Sequence, residues 1–273
     1  MISYVEYAGP SDGVRKAAIS SLVSGSMVPM ASACGNASWS LDFEGPALQC
    51  SAIGPDDELR INITEIAKDW CFGAGQCYQY ISWMPGSTTD HSPFSGDYDY
   101  TKDTVSGPEN GPITLHVADS HSGEDEWTPS MIGFDSFTKC TLYSASYHTD
   151  FIYRSGIQEI RTTKTMNKPS DPWLSSLIDQ STTTFDKVAG VPFQAVMDAF
   201  SSMLIGNVLL QWYSSHDTPF VHTQAGTTNL AKNLRGFGKQ SSNETEGDRA
   251  ISALREEMFL NVTLSLISQA DLK

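Results

Sequence analysis

Between Cys140 and Arg154 the chain alternates for fifteen residues. Tyr143, Ala145, Tyr147, Phe151 and Tyr153 take one parity, and Leu142, Ser144, Ser146, His148 and Ile152 take the other. Alternation of that length specifies a β-strand, because successive side chains of an extended chain point to opposite faces. At about 3.3 Å per residue the strand reaches roughly 50 Å, so it must bend or cross between sheets. Arg154-Ser155-Gly156 then reads as a turn leading back through IQEIRTTKT, which makes a long hairpin. A chain holding such a hairpin needs a sheet-based core.

The other strand signals precede it. In ASWSLDFEGPALQC, residues 37–50, Trp39, Leu41 and Phe43 alternate, and Gly45-Pro46 reads as the turn of a second hairpin. CYQYISWM, residues 77–84, sets Tyr78 and Tyr80 on one face and Trp83 on the other, and residues 112–118 form a further short strand. Between them Asp56 and Asp57 cap a helix carrying Leu59, Ile63, Ile66 and Trp70. The period changes near the C-terminus. Val191, Phe193, Met197, Phe200, Leu204, Val208 and Trp212 predict a buried helix over 186–212. Ile251, Leu254, Met258, Phe259, Val262 and Leu266 predict another over 247–268.

Strands first and helices last imply an α+β protein, with a β-sandwich-like, strand-rich body and C-terminal packed helices. The expected organisation is one domain over 1–273: an N-terminal arm at 1–33, a mainly β body at 34–166 and a mainly helical part at 170–273. Pro85–Pro112 and Asp119–Pro129 are Gly/Ser/Asp/Pro-rich or acidic and long for ordinary connections, so they read as lids or insertions. Asp97, Asp99 and Asp103 lack the spacing and the glycine of a calcium loop, and a solvated loop is expected instead of a metal site.

Four acceptor triplets for N-glycosylation occur, at Asn36-Ala-Ser38, Asn62-Ile-Thr64, Asn243-Glu-Thr245 and Asn261-Val-Thr263. Five cysteines, Cys34, Cys50, Cys71, Cys77 and Cys140, lack the CxxC spacing of a zinc site and suit two disulfides with one cysteine over. Cys71 and Cys77 are expected to pair across the FGAGQ loop, whose glycines let the chain fold back. Both features point to a secreted or secretory-lumen glycoprotein. The opening MISYVEYAGP has neither the basic start nor the apolar stretch of a leader, so a leader is expected to have been removed. No apolar run is long enough to span a bilayer.

With 17 Lys and Arg against 32 Asp and Glu the formal net charge is −15, which disfavours nucleic acid and anionic membrane as partners. No HExxH, GxSxG, GxGxxG, phosphate loop or kinase signature is present, and neither cofactor nor metal is expected. Six Trp, ten Tyr and twelve Phe supply the walls of a core or of an apolar pocket.

The block CGNASWSLDFEGPALQC, the strand CTLYSASYHTDF and the closing NVTLSLIS resemble a family of fungal membrane proteins. In that family a glycosylated ectodomain of unassigned function lies between membrane helices. The similarity runs from about Cys34 to the C-terminus. The flanking membrane helices are missing from this sequence, which therefore looks like an ectodomain freed from the membrane. More weakly, the chain is similar to secreted-type fungal proteins of secondary metabolism that catalyse hetero-Diels–Alder coupling of a quinone methide with a terpene. That second resemblance implies a cofactor-independent pericyclase, with no catalytic residue carried over.

Pericyclic coupling needs no nucleophile, only two apolar partners held in a reactive geometry and a donor that polarises a carbonyl. The residues expected to supply this are Tyr143, Tyr147, His148 and Arg154 as donors, with Trp83, Trp127 and Phe151 as apolar walls binding a small-molecule substrate. The competing expectation is a non-catalytic ectodomain-like protein that binds cell-wall carbohydrate or a protein partner, in which these aromatics only pack the sheet.

Overall fold

The computed structural model describes residues 9–29, 36–74, 76–84, 112–119, 134, 136–170, 190–211, 220–221, 223–228 and 244–268. Among them the chain forms α1 (Asp12–Ser24), β1 (Ala37–Ala52), α2 (Glu58–Ala74), β2 (Gln76–Trp83), β3 (Thr114–Asp119), β4 (Ser136–Arg154) and β5 (Ile157–Pro169). There follow α3 (Gly190–Leu204), β6 (Gly206–Gln211), β7 (Phe220–Val221) and α4 (Glu244–Ser268). Cys34, Trp127, Trp212 and Asn243 lie outside the described residues, as do Asp97, Asp99 and Asp103.

The fold is α+β with a strand-rich body and helices at its C-terminal end. All seven strands join one antiparallel sheet in the order β1-β4-β3-β2-β6-β7, with β5 also paired to β4. The long strand does cross, though between two sets of neighbours in that sheet. One edge of β4 pairs with β1 without a break from Ala37↔Tyr153 to Ala52↔Thr138. Its other edge pairs first with β3, up to Thr114↔Thr141, and then with β5 from Tyr143 onward. The changeover is built at Leu142. Its N–H donates to the carbonyl of Ile113 (2.9 Å), and its own carbonyl accepts from the N–H of Ser170 (2.9 Å). A register shift follows between Tyr143 and Ala145.

Burial along β4 changes phase at the same place. Thr138, Cys140 and Leu142 are buried before it, and Ala145, Tyr147, Thr149, Phe151 and Tyr153 after it. Helix α4 accounts for the change, because it lies across the outer edge of β1 between Pro46 and Cys50. The carbonyl of Pro46 accepts from the hydroxyl of Thr263 (3.1 Å), and the N–H of Cys50 donates to Glu256 Oε1 (2.8 Å). A helix over the edge can bury both faces of the strands behind it. Met258, Phe259, Val262 and Leu266 of α4 share the main core with Leu48, Cys140 and Leu142. Leu260 and Leu264 pack in the smaller clusters with Tyr147 and Phe151.

Three expectations are corrected. First, Gly45-Pro46 is no turn, and β1 runs straight through it. Proline is tolerated because β1 is an edge strand, where a missing N–H faces away from the sheet. Gly45 is needed for closeness, since a Cβ there would stand 3.3 Å from the side chains of Phe43, Tyr147 and Thr263. Second, the helix expected to run to Trp212 ends at Leu204. Gly206 adopts φ 130°, a conformation open only to glycine, and Val208 lies in strand β6. Third, the buried line of α2 is Ile63, Ala67 and Cys71, while Ile66 and Trp70 are 37% and 38% exposed.

The expected hairpin β4–β5 forms around Ser155 (φ 52°) and Gly156 (φ 81°), the left-handed pair that a two-residue turn demands. Within the stretch expected as an arm, α1 is a true helix. Ser11 Oγ caps it by accepting from Val14 N (3.4 Å), and left-handed Gly25 closes it. Ala17, Ala18 and Leu22 are fully buried in the main core, and Ser21 Oγ meets Ser265 Oγ of α4 at 2.7 Å.

Candidate functional site

The residues expected to line one pocket are distributed over different parts of the sheet. Tyr147 and Phe151 point into the clusters under α4. Tyr147 is 3% exposed, stacks on Phe43 with ring centroids 4.9 Å apart, and donates its hydroxyl to the carbonyl of Pro46 (2.8 Å). Burial pushes its pKa well up. Phe151 stacks against Trp39 at 5.6 Å, and Tyr143 is half-buried beside the register shift. His148 takes the opposite, exposed face. Its Nδ1 lies 2.7 Å from Asp42 Oδ1 and its Nε2 lies 3.5 Å from Asp150 Oδ1. The hydrogen bond it donates to Asp42, with the charges of both aspartates, raises its pKa. Arg154 is exposed at the hairpin turn, and Trp83 stands on β2, separated from β4 by β3.

A different group of side chains converges around Trp83. Its indole meets the ring of His116 edge-on at 5.2 Å and that of Phe137 at 5.8 Å, and Phe134 packs on Phe137 at 6.3 Å. All four are buried. Register brings them together: His116 of β3 sits between Trp83 of β2 and Lys139 of β4. β3 is an inner strand buried along its whole length, so a polar residue on it is largely shielded from bulk water.

His116 is the anomaly of this niche. It is 6% exposed, and among the described residues neither Nδ1 nor Nε2 has a hydrogen-bond partner. Its pKa falls to about 4, chiefly because burial penalises the charged ring and next because of the Lys139 ammonium, with Asp57 acting weakly in the other direction. At neutral pH it is therefore an uncharged imidazole with one N–H to give and one lone pair to fill. A buried polar group in that state calls for a physical explanation, since each unsatisfied group costs about 1–3 kcal/mol.

The opposite face of the same strands carries a buried polar layer. Tyr80 donates to the carbonyl of Leu204 (2.8 Å). Burial drives its pKa up strongly, while the charges of Arg255 and Asp119 act on it in opposite senses. Arg255 itself is 1% exposed on α4. This layer joins β2, β3 and α4 and reads as an internal electrostatic brace.

Two disulfides bind the frame. Cys50 and Cys140, directly opposite in the β1–β4 register, are bonded across 90 residues of sequence, and Cys71–Cys77 ties the end of α2 to β2. Among the described residues no group of three or more His, Cys, Asp or Glu is placed to hold a metal ion. None of the described helices is long and apolar enough to cross a membrane. Asn36 and Asn62 are exposed, whereas Asn261 is half-buried with its Nδ2 donating to the carbonyl of Gly25 (3.4 Å).

Comparison with protein-family models, curated proteins and solved structures finds no match.

His116 was not singled out from the sequence. The only signal was a histidine inside ITLHVAD, a run that fails to alternate because it is buried on both faces.

Proposed function

We propose that the chain is a disulfide-braced domain of the secretory pathway that binds an apolar small molecule, and that it acts as a cofactor-independent pericyclase of the hetero-Diels–Alder type. The observation that carries this reading is the run of buried rings Trp83, Phe137 and Phe134 beside a buried neutral imidazole with no hydrogen-bond partner among the described residues. Aromatic walls with a single polar group are the usual make-up of a site for a largely apolar ligand. Strands β2 and β3, which carry Trp83 and His116, are joined in sequence by the longest Gly/Ser/Asp/Pro-rich stretch of the chain. Orientation of two apolar reactants is the main catalytic resource such a site offers, with one hydrogen bond as the electrostatic addition.

A second reading has its own observation. Trp39 is 38% exposed on β1 and stacked on Tyr153 at 5.2 Å, an aromatic platform of the kind that takes a sugar ring. Binding measurements separate the two. Titration with naphthalene-like ligands should raise the melting temperature and quench tryptophan fluorescence, whereas chitin and glucan oligosaccharides should do neither. Saturable binding of an oligosaccharide that is lost in Trp39→Ala, with no response to apolar ligands, would favour the carbohydrate reading.

A further inference from the structure

We infer that His116 is the residue that recognises the ligand's oxygen: its N–H donates to a carbonyl or enolic oxygen on a planar aromatic ligand seated against Trp83 and Phe137. This rests on the small-molecule reading and adds the chemical class of the ligand and the residue that selects it.

The histidine's two ring nitrogens are buried beside the indole of Trp83, which in turn meets Phe137, and neither nitrogen has a hydrogen-bond partner among the described residues. A ligand oxygen supplies the missing acceptor, which removes a cost already present in the folded protein. The reward for a matched polar group, and the penalty for a ligand lacking it, are therefore larger here than on an open surface. Charge narrows the class further. Lys139 lies next to His116 in register on β4, and its ammonium disfavours both protonation of the imidazole and the approach of a cationic ligand. The same ammonium favours an oxygen that carries partial or full negative charge, as in a conjugated ketone or an enolate. Asp57, at the N-cap of α2, acts on His116 in the opposite sense and more weakly, so the positive influence prevails. Amines and quaternary ammonium compounds are disfavoured on these grounds, and a hydrocarbon without oxygen binds more weakly than its ketone.

The test compares 1-tetralone with tetralin, two bicyclic ligands of nearly equal size that differ by one carbonyl. On the wild-type protein 1-tetralone should bind about 5- to 10-fold more tightly, the ratio expected of one hydrogen bond of about 1 kcal/mol. In His116→Phe the two ligands should bind equally. A preference for 1-tetralone that survives in His116→Phe would show that another group reads the oxygen. Equal binding of both ligands to the wild type would overturn the inference while leaving the apolar site in place. Binding of neither would defeat the small-molecule reading itself. Because the variant can perturb the core, the wild type provides an independent readout. The ring ¹⁵N resonances of His116 should shift on saturation with 1-tetralone and stay unchanged with tetralin. Unchanged resonances with both ligands would contradict the assignment even if His116→Phe failed to fold.

Discussion

The pKa values of His116 and His148 shift in opposite directions, and the sign of each follows from its surroundings. The imidazole of His116 falls from 6.5 to about 4 on folding, so between those pH values the unfolded chain binds a proton that the folded chain refuses. Stability is therefore complete above pH 6.5 and is lost as the pH falls toward 4, by about 3 kcal/mol if the whole shift is expressed. Urea unfolding at pH 7 and pH 4.5 checks this. His116→Phe should lose less stability than the wild type between the two pH values, and an equal loss would contradict the buried neutral imidazole. His148 behaves inversely. Asp42 and Asp150 raise its pKa, so its contribution is present below 6.5 and fades as the pH rises through the raised value. Asp42→Asn should bring the His148 ring titration, followed by NMR, back toward the ordinary value. Gly45 is a third test at this scale. With Phe43, Tyr147 and Thr263 all 3.3 Å from a Cβ at that position, Gly45→Leu overpacks the contact of α4 with β1. It should cost about 1–3 kcal/mol in denaturant unfolding, and a neutral result would mean α4 yields easily there.

Among the elements, the long hairpin, the capped helix α2 and the terminal helix α4 were legible because each carries its own local code: strict alternation with a Ser-Gly turn, an aspartate cap, and helical apolar spacing. The misread elements depend on distant partners. Gly45-Pro46 resembles a turn until β4 pairs with both sides of it, and the apolar spacing that ran past Leu204 could not reveal that Gly206 redirects the chain into the sheet. The candidate site was less legible than the fold. Tyr147 looked like a free donor, yet its hydroxyl is taken by Pro46, 101 residues away in sequence. The niche around His116 exists only once β2, β3 and β4 lie side by side. The disulfides belong to this scale too. Cys50–Cys140 closes a long loop between paired strands, so its removal as Cys50→Ala/Cys140→Ala should cost about 2–4 kcal/mol, and loss of the short Cys71–Cys77 loop should cost less. Comparing the midpoints of the two double variants tests the ordering, and a larger loss for the short loop would reverse it.

At the scale of the whole molecule, two disulfides and exposed acceptor asparagines are compatible with a secreted or lumenal protein. Protein secreted from a eukaryotic host should carry glycans at Asn36 and Asn62, read by glycosidase shift and peptide mapping. Asn261 should remain bare, because its amide is engaged between α1 and α4. An unglycosylated product from such a host would argue against the secretory assignment. On the proposed function, this frame holds two apolar reactants against Trp83, His116 and Phe137, and the chirality of the product reports on that directly. The protein is incubated with a quinone-methide precursor and an apolar alkene, and the enantiomer ratio is measured against a protein-free control. One enantiomer in clear excess, formed faster than background, is the expected result. Removal of the donor in His116→Phe should slow it about 10- to 100-fold without abolishing it. Racemic product at the background rate, with no ligand-induced rise in melting temperature, would contradict the claim.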